Sequence, residues 1–146
     1  MKKKKILVAY DHSSMSKKGA EEAKSLALMN VVQEVHFVSV MKLKSISLQK
    51  LRNPQGDGTV VEGDFSREMN KLVENFDGDE IQAFSEVLAA GANENEGAVI
   101  CQYAEEKDID LIIIGSRGLT NMQRIILGSV SNYVVQNAKC PVLVIK

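Results

Sequence analysis

The chain has 146 residues, 45% of them hydrophobic and 25% charged, with a formal net charge of −1. That length suffices for one core-forming domain without disulfide or metal staples, and the near-neutral charge excludes a general attraction to nucleic acid. No apolar run approaches the roughly 18 residues of a membrane span, and the apolar stretch near the start is too short for a signal peptide.

Lysines 2–5 read as a solvated tail leading into a first buried strand, "ILVAY" at 6–10. Residues 14–30 then place Ala20, Ala23, Leu26 and Ala27 on one helical face, behind a cap at Ser13 or Ser14. "EVHFVSV" at 34–40 is the second strand. The stretch 42–63 lacks periodicity, holds Pro54, Gly56, Gly58 and Gly63, and is expected to be an irregular connection. Next comes a helix over 65–76, with Phe65, Met69, Leu72, Val73 and Phe76 along one stripe and Asp64 as its cap. A weaker strand at 83–91 leads to a helix over 94–107, where Asn93 and Glu96 are spaced like a capping box. A strand at 111–115, a helix at 129–138 capped by Ser129 and a strand at 141–146 complete the series.

Short, continuously apolar strands alternating with helices predict an α/β fold. The expected architecture is one Rossmann-like domain over 1–146, an open five-stranded parallel sheet with helices on both faces. Cys101 and Cys140 form no CxxC pair, so neither a disulfide framework nor a zinc motif is implied, and a cytoplasmic location is expected. Cys101 reads as a small buried residue and Cys140 as part of a turn.

Ligands of open parallel sheets bind beyond the carboxyl ends of the strands. Three separate regions converge there: Asp11 after the first strand, Val40 after the second, and "GSRGLTNMQRIILGS" at 115–129 after the fourth. Gly115 and Gly118 close that strand, where a missing Cβ permits positive φ and close approach of a ligand. Gly128 and Ser129 open a helix whose first N–H groups and dipole favour a phosphate, the charge–dipole part by about 0.3–1 kcal/mol. Ser129 and Ser131 can add hydroxyl donors. The same residues also suit a strand-ending turn with an ordinary serine cap, and spacing alone does not separate the two. There is no GxxxxGK[ST], which excludes a P-loop, and no GxGxxG after the first strand. His36, mid-strand, reads as a packed residue, and His12 beside Asp11 is better placed for chemistry. No second carboxylate stands obviously with Asp11, and no residue is positioned to orient an attacking water. The pattern therefore supports binding over hydrolysis, with no catalytic residue assigned.

"VAYDHS" at 8–13, "YAEEKDIDLIIIGSRG" at 103–118 and "LGSVSNYVVQNAKCPVLVIK" at 127–146 resemble the universal stress protein family. The resemblance covers the chain apart from 42–63. Its most specific part is Gly, two residues, Gly, nine residues, Gly, then Ser, matched by Gly115, Gly118, Gly128 and Ser129 and similar to the family's ATP-binding branch. The resemblance implies Asp11 and the main chain near Val40 at the adenosine end, and Gly115 and Gly118 flanking ribose and phosphates. Gly128, Ser129 and Ser131 would hold the phosphate tail, with Mg²⁺ bridging its oxygens. Arg117 reads as solvated. A strand at 141–146 lying on the sheet edge invites antiparallel pairing with a second copy, and the family forms such homodimers. The expected role is a nucleotide-dependent switch or adaptor in the stress response, with a protein partner and neither nucleic acid nor membrane. The alternatives are a slow ATPase using Asp11 and a metal, and a nucleotide-independent dimeric interaction module.

Overall fold

The computed structural model describes residues 2–43, 59–76, 80–116 and 127–146. Among them, β1 (Lys4–Ala9), β2 (Val32–Lys42), β3 (Gln82–Ala90), β4 (Leu111–Gly115) and β5 (Val142–Ile145) alternate with α1 (Ser14–Leu28), α2 (Thr59–Glu74), α3 (Glu96–Glu106) and α4 (Ser129–Asn137). Every strand pairing is parallel, in the order β3-β2-β1-β4-β5, as the alternation of elements requires. None of the described helices is long and apolar enough to cross a membrane.

Successive strand residues point to opposite faces, so each buried strand feeds two core layers. Ile6 and Val8 of β1, Val35 and Phe37 of β2 and Ile113 of β4 pack with Ala20, Ala23 and Ala27 of α1 and Met69 of α2. Leu7, Val38, Ile112 and Ile114 pack on the other face with Ile100, Cys101 and Ala104 of α3 and Val134 of α4. Each valine, leucine, isoleucine, phenylalanine or methionine among them contributes about 1.5–3 kcal/mol by leaving water. The small residues of α1 let it lie close to the sheet: a Cβ on Gly19 would come within 3.2 Å of Ile113 Cγ2.

The structure corrects several boundaries. β1 begins at Lys4, so half of the lysine run is strand; Lys5 Nζ lies 3.5 Å from Glu34, and its N–H donates to Asp110 at 2.9 Å. β2 runs on to Lys42, which puts Val40 inside the strand. α2 starts at Thr59, within the stretch expected to be irregular, and Asp64 is an internal helix residue rather than a cap. Gly63 and β-branched residues 59–61 mask the helix in the sequence because each has poor helix propensity. Residues 44–58 lie outside the described residues. Ser13 is the cap of α1, and Asn95, not Asn93, caps α3 through its bond to the Gly97 N–H.

β1 is flanked by β2 on one side and β4 on the other, so the strand order reverses at β1. The carboxyl ends of β1 and β4 lie side by side at this reversal, the place where open parallel sheets form a crevice.

Candidate functional site

A cleft of about 130 Å³ occupies that crevice, and Asp11, Val40, Gly115 and Ser131 all line it. Gly128 and Ser129 form the N-terminus of α4, whose Val130 and Ser131 are in the wall. Gly118 and Arg117 lie outside the described residues. Val38, Ile100, Ile114 and Val130 give the cleft its apolar surface, and Tyr10, Ser16 and Glu96 join the polar groups.

The wall from β1 to α1 is a tight turn. Asp11 Oδ1 accepts the Ser13 N–H at 3.0 Å, and Ser13 Oγ accepts the Ser16 N–H at 3.1 Å as the helix cap. Ser16 Oγ donates back to the Ser13 carbonyl at 2.9 Å. His12, between them, has φ 68°, a left-handed conformation that costs a non-glycine residue about 1–2 kcal/mol. Glu68 of α2 reaches this turn. Its Oε1 accepts the Tyr10 hydroxyl, and its Oε2 is hydrogen-bonded to His12 Nδ1. The Tyr10 and His12 rings meet edge to face with centroids 5.2 Å apart. The Tyr10 hydroxyl, with help from His12, holds the Glu68 carboxyl below its ordinary range. Burial, reinforced by Glu68, pushes the Tyr10 phenol up.

The opposite wall depends on backbone. Gly128 is extended (φ −66°, ψ 168°), donates its N–H to the Ser116 carbonyl at 3.3 Å, and places no side-chain cap on α4. Ser129 is thus the first helical residue and not the expected cap. The first N–H groups of α4 have no intrahelical acceptor by construction. The buried Ser131 hydroxyl donates to the Gly128 carbonyl at 3.1 Å. α3 sets the position of this end: a Cβ on Gly97 would lie 2.9 Å from the Val130 carbonyl oxygen and from Tyr133 Cβ. Glu96, in the first turn of α3, pairs with Lys42 at 3.9 Å.

Gly115 has a further reason to be glycine, beyond the ligand approach that the sequence indicated. Its φ is outside the left-handed region, but a Cβ there would lie 2.6 Å from Met15 Cβ. The end of β4 and the first turn of α1 are in contact, and the missing methyl permits it. His36 is packed, as expected: buried, stacked on Phe84 at 4.8 Å, and hydrogen-bonded to Tyr103 at 2.8 Å and Glu34 at 3.0 Å. It is not among the residues lining the cleft. Sequence reasoning missed Glu68 and Glu96. Nothing local marks Glu68, whose partners are 58 and 56 residues away, and Glu96 carries only the signature of a helix start.

The sequence profile of the Universal stress protein family matches residues 3–146. The chain is 32% identical to universal stress protein MJ0531 of Methanocaldococcus jannaschii, over 98% of this chain and 82% of that protein. It is 30% identical to universal stress protein YxiE of Bacillus subtilis, over 97% and 98% of the two chains. Among solved structures it is similar to MJ0577 of Methanocaldococcus jannaschii (TM-score 0.77, 25% identity, 100% and 97% coverage). The fold also matches a universal stress protein from Archaeoglobus fulgidus in complex with dAMP (TM-score 0.66, 22% identity, 100% and 100%) and one in complex with cAMP (TM-score 0.62, 18% identity, 100% and 98%).

Proposed function

Because this chain belongs to the universal stress protein family, we propose that it binds ATP in the cleft between β1 and β4 and acts as a nucleotide-dependent switch or adaptor in the stress response. The observation that carries this reading is the convergence of Asp11, Val40, Gly115 and Ser131 on one cleft beside the N-terminus of α4. The apolar surface of Val38, Val40, Ile100 and Ile114 suits the faces of a base. About 130 Å³ is less than the roughly 300–1,000 Å³ of pockets that enclose a whole small ligand. The cleft therefore takes the adenosine end near Asp11, and the phosphates run toward Gly128, Ser129 and the open N–H groups of α4. Gly118 belongs to this site by the glycine pattern. Mg²⁺ would be carried by the phosphates as their counter-ion, and no protein ligand is assigned to it. That two proteins of the same fold are complexed with dAMP and cAMP supports an adenine nucleotide here.

The protein works in the cytoplasm as a homodimer paired through 141–146. β5 is an edge strand of four residues, and among the described residues one side of its backbone pairs with no other strand and can take a second copy. Sedimentation should then give twice the 16.0 kDa chain mass. For the nucleotide, freshly purified protein is denatured and the released small molecules are identified by mass spectrometry. An adenine nucleotide is the expected product. Release of none, together with no thermal shift on adding ATP and Mg²⁺, would sink the reading.

A further inference from the structure

We propose that Glu68 is a positioning residue for the nucleotide site, acting from α2 through Tyr10 and His12 to hold the turn that carries Asp11 into the cleft. The inference rests on the nucleotide-binding reading above and gives it a route of regulation. Tyr10 and His12 are the residues immediately before and after Asp11, and the two oxygens of one carboxylate take one each. Asp11 is therefore fastened on both sides by a helix none of whose described side chains lines the cleft. The fastening has something to oppose. His12 sits at φ 68°, where glycine would rest without strain, and a histidine needs a contact to keep it there.

Tyr10 lines both the cleft and a second groove between α1 and α2, where Glu68, Leu72 and Phe76 are its neighbours in the wall. It is the partition between the two. Whatever seats or unseats α2 must then act on the turn at Asp11, and by linkage a bound nucleotide must favour the seated helix by the same factor. α2 is also the first described element after β2, the strand that supplies Val40. The helix is thus a physical candidate for the surface that changes when the nucleotide binds.

The test is calorimetric titration of the full chain with ATP and Mg²⁺, in the wild type, Glu68→Ala, His12→Gly and the double variant. Glu68→Ala should weaken binding about tenfold, equivalent to about 1.4 kcal/mol. In the His12→Gly background the same change should cost at most about twofold, because glycine holds the turn without help. Hydrogen exchange of residues 11–16 should quicken in Glu68→Ala while the amides of β1 keep their protection. If Glu68→Ala does not fold, Glu68→Gln, of equal volume and with one acceptor oxygen kept, should show an intermediate loss that His12→Gly again suppresses. Unchanged affinity in the Glu68 variants overturns the proposal. So does an equal loss in both His12 backgrounds, which would mean that Glu68 acts only by packing α2. A wild type that binds no ATP instead removes the nucleotide reading itself, and the proposal with it.

Discussion

The two walls of the cleft are built by opposite means. The β1–α1 turn is held by side chains: the Asp11 carboxylate on the Ser13 amide, the Ser13 hydroxyl on Ser16, and Glu68 on Tyr10 and His12. At the α4 end, Gly128 has no side chain to cap the helix, and its own N–H is committed to Ser116. Among the described residues the first wall is complete, whereas the second leaves the first N–H groups of α4 without a side-chain cap, donors that an anion would satisfy.

The largest effect expected from this difference comes from putting a carboxylate where the second wall has none. Gly128→Asp suits the extended backbone at that position (φ −66°, ψ 168°), and aspartate is at least as good a helix cap as glycine. Stability should hold steady or rise by a few tenths of a kcal/mol. ATP affinity should instead fall about 100-fold, since the new charge occupies the anion's donors and faces its phosphates. Paired melting and binding curves check this. A variant that keeps its affinity would show that the α4 terminus does not face phosphate.

Gly115→Ala probes the seam between the walls and should act in the reverse sense. The added methyl would sit 2.6 Å from Met15 Cβ, on the first turn of α1, and one of the two backbones must shift. The expected cost is about 1–3 kcal/mol of stability, typical of an overpacked site. Denaturant unfolding of the ligand-free chain measures it. A loss seen only with ATP present would return Gly115 to the purely ligand-facing role that its place in the glycine pattern implies.

These two glycines also show what could be read from the sequence. The parallel sheet, its five strands and the meeting of Asp11, Val40 and Gly115 at one edge were legible because strand periodicity and topology are local, repetitive signals. Gly115 was legible as important, but its packing against Met15 was not, since that closeness is a tertiary fact that no spacing encodes. The start of α2 was hidden by residues 59–63, whose propensities oppose a helix that the fold nonetheless forms. Glu68 was invisible for a related cause. A glutamate on a helix reads as solvated, and only the docking of α2 brings it to partners more than fifty residues away.

The smallest effect distinguishes the fastening of the first wall from the general ion pairing of the fold. Glu68 is held below its ordinary value of 4.5 first by Tyr10, and Glu34, near the start of β2, is held below 4.5 first by His36. A carboxyl with a depressed folded-state pKa binds fewer protons folded than unfolded around that pH. Its stabilisation is complete above about 4.5 and is lost as the pH falls through the lower, folded value. Side chains 35% and 21% exposed are well screened, so Glu68→Gln and Glu34→Gln should each flatten the acid loss of stability by less than about 1 kcal/mol. In urea unfolding between pH 7 and about pH 3 the two variants should therefore look alike. Saturating ATP should separate them at pH 7. Glu34 lies on the far end of the sheet, so Glu34→Gln should keep the full nucleotide-induced stabilisation. Glu68→Gln should lose part of it, because there the same carboxylate also holds the turn at Asp11.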